Sequence, residues 1–170
     1  MVLVVFFRQK VRAIFSTRHN VSTVSSALRR WLFGVFVLGV FGTGAELLLL
    51  GHTEDYRQLV PLGLFALSLV LLGRLALSPD ARWLRWFRAL MALFVASGLV
   101  GVFLHLSANA EFELEMYPSM AGLDLLWESL RGAIPALAPG TMTYLGLLGW
   151  VFTMGHPLLA GSSSTRKENP

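Results

Sequence analysis

The sequence predicts an all-α fold: a polytopic integral membrane protein whose four transmembrane helices form a bundle beneath an outer interfacial helical loop. Three observations predict it. The 170 residues are 55% hydrophobic and only 14% charged, against about 25% charged in ordinary soluble chains, and the mean hydropathy is +0.62. Four apolar stretches approach the roughly 20 residues that a helix needs to cross about 30 Å of hydrocarbon. Lysine and arginine fall in alternate connections between those stretches, as they do when cytoplasmic flanks hold the excess of positive charge.

The elements follow in chain order. Residues 1–30 contain no acid, several serines and a basic amphipathic middle. They fit a membrane-surface helix drawn to anionic lipid, an organellar transit peptide, or a leader ahead of a true start near Trp31. The membrane domain is expected over 31–160. Its first span is 31–50, "WLFGVFVLGVFGTGAELLLL", interrupted only by Thr43 and Glu46. The second is 58–77, with Pro61 in a tolerant first turn and a stop at Ser78-Pro79. The third, 87–106, carries Ala92, Ala96, Ser97, Gly98 and Gly101, small residues that let a neighbouring backbone approach. The fourth, 134–154, has Pro135, Pro139 and Gly140 in its first turns and is expected to begin kinked or late.

The connection 107–133 is the longest, and loops of about 27 residues usually have structure or function of their own. Leu123, Leu126, Trp127 and Leu130 recur there at helical spacing. They predict a short interfacial helix with Trp127 at headgroup level, in its sharper form a lid over the mouth of the bundle. Residues 161–170 form a polar tail.

Six basic residues lie in the N-terminal segment, four around 74–88 (Arg74, Arg82, Arg85, Arg88) and two in the tail (Arg166, Lys167). Only Arg57 and Arg131 fall on the other side, among Glu54, Asp55, Glu111, Glu113, Glu115, Asp124 and Glu128. This asymmetry predicts an even number of spans with both termini cytoplasmic, in a bacterial inner (plasma) membrane. The same placement accounts for the pI of about 10.1 without nucleic acid, since the positive charge flanks apolar spans rather than lining a solvated face.

With no cysteine, disulfides, thiolate metal sites and thiol catalysis are excluded. GxSxG and phosphate-loop patterns are absent, and "GTGAE" lacks the GK[ST] ending. Asp occurs only at 55, 80 and 124, all in connections, so no aspartyl pair lies at depth.

The residues left for chemistry gather on the outer side. Glu46 is an ionisable group within a span, a functional hypothesis by default, though it lies only about 7 Å from the outer end at 1.5 Å per residue. His52 and His105 close the first and third spans on that side. Asn109 shares the face of His105 if the helix continues, and "NAEFELE", if extended, puts Glu111, Glu113 and Glu115 on one face. Imidazoles and carboxylates suit a divalent metal, which predicts His52, His105, Glu46 and Glu111 as ligands, with Glu54 as substitute. His156 lies at the opposite end, and a haem bridged by His52 and His105 fits poorly because both sit at the boundary. The sequence therefore predicts a non-enzymatic accessory or assembly subunit, packing in the bilayer against membrane partners or further copies of itself. An outer-face metal-binding or proton-relay protein is the alternative, and a small transporter or channel the second.

Overall fold

In the computed structural model, residues 21–160 are described and all regular structure among them is helical. The helices are α1 (Val21–Leu49), α2 (Tyr56–Leu77), α3 (Ala81–Met116), α4 (Gly122–Arg131), α5 (Gly140–Thr153) and α6 (Pro157–Ala160). Expectations about residues 1–20 and the tail 161–170 lie outside the described residues. Among the described residues, three helices are long and apolar enough to cross a membrane: α1 over Ser26–Leu49, α2 and α3.

The helix boundaries are chemical. Asp55 caps α2 by accepting from the Arg57 N–H at 2.9 Å, while Gln58 Oε1 reaches back to accept from the Asp55 and Glu54 N–H groups, a reciprocal box that satisfies otherwise orphaned donors. Asp80 caps α3 in the same way through the Arg82 N–H at 2.7 Å. Gly51, at φ +65°, turns the chain out of α1 in a left-handed conformation that glycine adopts without penalty.

Several boundaries differ from those read in the sequence. The helix α1 is already formed at Val21, ten residues before the apolar run, because apolar residues are not needed for helical geometry. Pro61 lies in the second turn of α2, since that helix already starts at Tyr56; the proline leaves the Arg57 carbonyl without an intrahelical donor, near the polar end of the helix. The largest difference is α3, which continues to Met116 instead of ending near 106. Its 36 residues span about 54 Å. Ala, Glu, Leu and Met are strong helix formers, and the helix stops only at Tyr117, which precedes a proline and so avoids helical geometry.

The expected fourth span is divided. Residues 136–139 form tight turns, with Ala138 N–H to Pro135 O and Gly140 N–H to Leu137 O, before α5 runs for 14 residues. Pro135 and Pro139 lack the N–H groups that a continuous helix would use.

The central helix is α3, on which α5, α2 and α4 all pack; α1 leans on α5 and, less extensively, on α2. Phe36, Phe65, Phe87, Met91 and Phe94 fill the core, with Phe36 edge-on to Phe87 at 5.5 Å and Phe87 edge-on to Phe152 at 6.0 Å, favoured aromatic geometries. The closest approach is between α3 and α5. A Cβ at Gly146 would stand 2.8 Å from the Met91 carbonyl oxygen, and one at Gly101 would stand 2.6 Å from Pro139 Cβ. Gly98 and Gly101 thus perform the close packing expected of the third span, whereas Ala92 and Ala96 face outward.

Two contacts show which helix ends meet. Arg29 donates to the Gly155 carbonyl at 3.0 Å, and Arg88 lies over the Trp150 ring at 5.0 Å, joining the starts of α1 and α3 to the end of α5. Arginines 29, 30, 74, 82, 85 and 88 therefore gather at one end, the basic end. The far ends of α1 and α3, with α4, carry the carboxylates and form the acidic end.

Candidate functional site

At the acidic end the structure separates the residues singled out in the sequence more than it joins them. Glu46 is exposed near the end of α1; its backbone carbonyl accepts from the Leu50 N–H at 2.9 Å, and its carboxylate makes no hydrogen bond or ion pair to any described residue. His52 is half-buried just beyond Gly51, while Glu54 is exposed and engaged through its backbone in the α2 cap. His105 is half-buried on α3, its Nδ1 3.1 Å from the Pro135 carbonyl oxygen. A carbonyl can only accept, so that nitrogen carries the proton and donates, leaving Nε2 as the acceptor of the neutral ring.

Glu111 is exposed on α3. Because the segment is helical, Glu111 and Glu113 point about 200° apart, and the shared carboxylate face expected of an extended strand does not form. Glu111 and Glu115 stack one turn apart as a mildly unfavourable like-charge pair. Among the described residues, no three His, Asp or Glu side chains form a group that could hold a metal ion. His156 lies at the basic end, as its place after the fourth apolar segment requires. Burial first, and Arg29 second, hold its imidazole below the ordinary value.

The best-built polar feature at the acidic end centres on a residue noted in the sequence only for its spacing. Asn109 is 3% exposed. Its Nδ2 donates to Ser129 O at 2.8 Å and Ile134 O at 2.7 Å, and its Oδ1 accepts from the Ile134 N–H at 3.1 Å. One side chain thus ties α3 to the end of α4 and to the turn that leads into α5. Gly132 admits it, because a Cβ there would lie 2.5 Å from Asn109 Cγ. His105, one turn earlier on the same face, clamps Pro135. The signal available in the sequence was the i,i+4 spacing of His105 and Asn109; their partners lie 20 to 30 residues away and have no local signature. This clamp is structural chemistry: it neutralises buried backbone groups and carries no nucleophile.

The helix α4 packs on α3 through Ser129, whose hydroxyl bonds the Leu125 carbonyl at 2.6 Å, and leaves Leu123, Trp127 and Leu126 exposed. Arg131 pairs with Glu128 at 3.7 Å and lies over the Trp127 ring.

A second feature is the outward surface of α1, the least covered of the three long helices, with 11% of its apolar window buried against 22% for α2 and α3. Gly34, Leu38, Gly42 and Glu46 succeed one another at steps of four along it. All are exposed, Leu38 to 73%, and a Cβ added at Gly34 or Gly42 would meet nothing within 4 Å. Rows at i±4 are the ridges through which helices interlock.

No protein-family model matches the chain, and no curated protein or solved structure matches it. The functional reading therefore stands on the chemistry of these surfaces.

Proposed function

We propose that this chain is a four-span membrane protein, both termini at the cytoplasmic basic end, that acts as a non-enzymatic accessory or assembly subunit by packing α1 against another membrane helix. The observation that carries the assembly role is the Gly34–Leu38–Gly42–Glu46 row on the least covered helix. Glycine within a helix costs about 1 kcal/mol relative to alanine. The internal glycines at 98, 101, 146 and 149 recover that cost through close packing, but Gly34 and Gly42 recover nothing from the described residues. In a bilayer, small residues at helix faces are what let backbones approach, and Glu46 at the end of the row offers a carboxylate to a donor on the incoming helix. The apolar outward stripe of α4 supports an interfacial seat for that helix on the acidic side.

Four spans are supported by the antiparallel course of α5 against α3, fixed at one end by His105 and Asn109 and at the other by Arg88 over Trp150. The lead and helix together cover the distance. Four turn residues, 136–139, at about 2 Å plus 14 at about 1.5 Å reach roughly 29 Å.

The assembly role is tested by Gly42→Ile and Gly34→Ile, since a Cβ at either position meets no atom of the described residues within 4 Å. Expected are an unchanged melting temperature of the purified protein and the loss of crosslinks from a photoreactive residue at position 38 to a protein in the native membrane. Crosslinks from position 38 to lipid alone in the wild type would contradict the proposal, and a crosslinked species of twice the chain mass would identify the partner as a second copy.

A further inference from the structure

Between α1 and α2 at the basic end lies a groove of about 350 Å³, with walls that include Phe33, Leu72, Leu75, Ala76 and Phe152 and with His156 at its mouth. Arg29 lines not this groove but a neighbouring hollow with Leu28, Leu32, Val151 and Met154; it is one helical turn from Phe33 and donates to Gly155, the neighbour of His156, at 3.0 Å. The His156 Nδ1 accepts from the Leu158 N–H at 3.3 Å, so in the neutral ring the proton sits on Nε2, a donor. We propose that this is a binding site for one anionic phospholipid, its phosphate seated against Arg29 and His156 and one acyl chain lying along the groove.

Charge, depth and shape agree on that occupant. Among the described residues, Asp80 is the acid at the basic end, and its carboxylate is engaged in capping α3 and facing Arg82 at 3.9 Å. Against it stand Arg29, Arg30, Arg74, Arg82, Arg85 and Arg88, so an anion arriving there meets net positive potential. A guanidinium presents five N–H donors in a fork that matches phosphate oxygens. Arg29 lies just before the apolar run that begins at Trp31, the depth at which a phosphate sits when its acyl chains enter the hydrocarbon. The walls below are apolar, as an acyl chain requires, whereas a soluble anion would leave them uncovered. Burial and Arg29 together disfavour the charged form of His156 in the lipid-free protein; a phosphate between the two relieves that opposition. This inference rests on the reading of the chain as a membrane bundle and is independent of its role as an assembly subunit.

The test uses the full chain in a neutral detergent, titrated with dioleoyl phosphatidylglycerol, dioleoyl phosphatidylcholine, oleate or inorganic phosphate, with native mass spectrometry and melting temperature as readouts. Expected is a one-to-one adduct with phosphatidylglycerol and a raised melting temperature, both weakened at least tenfold in apparent affinity by Arg29→Gln and by Ala76→Phe, which fills the groove. Ala76 is exposed, so Ala76→Phe keeps the test valid if Arg29→Gln fails to fold. Equal retention of phosphatidylcholine would overturn the headgroup assignment, an equal effect of phosphate or oleate alone would overturn the phospholipid, and wild-type retention by both variants would overturn the site. None of these outcomes bears on the α1 crosslinks, so the two proposals fail separately.

Discussion

At the scale of single residues, Asn109 is the side chain on which the acidic end depends. Asn109→Ala removes two donors and one acceptor from the Ser129 and Ile134 backbone groups, and an unsatisfied buried polar group costs about 1–3 kcal/mol. A loss of that size is expected in reversible unfolding, with faster proteolysis in 120–135; a variant as stable as the wild type would show that water replaces the clamp. His156 gives a prediction in pH. Its folded pKa is depressed from the ordinary 6.5 by burial and then by Arg29, so the unfolded chain takes up the proton first as pH falls. Its contribution is whole above about pH 6.5 and declines as pH drops through that value toward the depressed one. The lipid-free protein should therefore lose melting temperature between pH 7.5 and 5.5, and His156→Gln should flatten that slope. The sequence marked His105 and Asn109 as face-sharing but not as a clamp, because nothing local announces that the Pro135 carbonyl will be the partner of His105 and the Ser129 and Ile134 carbonyls those of Asn109.

Among elements, the α3–α5 seam is the tightest joint and α1 the loosest. Gly146→Ala forces a methyl against the Met91 carbonyl and Phe94 Cβ, both under 3 Å away. Overpacking of this kind costs about 1–3 kcal/mol, so Gly146→Ala should unfold at lower denaturant than the wild type while Gly42→Ala does not. Equal stability of Gly146→Ala and the wild type would mean that the two helices separate at little cost. The glycine content that foretold close packing was legible in the sequence, as was the short helix after Gly122, whereas the caps at Asp55 and Asp80 emerged only with the structure. The length of α3 was not. Three glutamates in alternation would share a face only if that segment were extended, yet each is individually a good helix former, and anchoring of the following turn by Asn109 favours the helix through Met116. The break before α5 was half legible: the prolines announced it, but only the tertiary partners His105 and Asn109 show that the broken segment is held in place.

Over the whole molecule, charge and apolarity divide along one axis, with arginines at the starts of α1 and α3 and carboxylates at their far ends. That division, together with an α5 antiparallel to α3, underlies the proposal of four spans; the three long apolar helices alone would leave the two ends of the chain on opposite sides. The absence of cysteine makes the decisive measurement direct. Single cysteines placed at Thr53, Ser78, Ser119 and Ser163 are labelled with a membrane-impermeant maleimide in intact cells and again after permeabilisation. Four spans predict that positions 53 and 119 label from outside and that 78 and 163 label only after permeabilisation. Labelling of position 163 from the same side as 119 would mean that α5 enters and leaves by one face, and would contradict the four-span bundle.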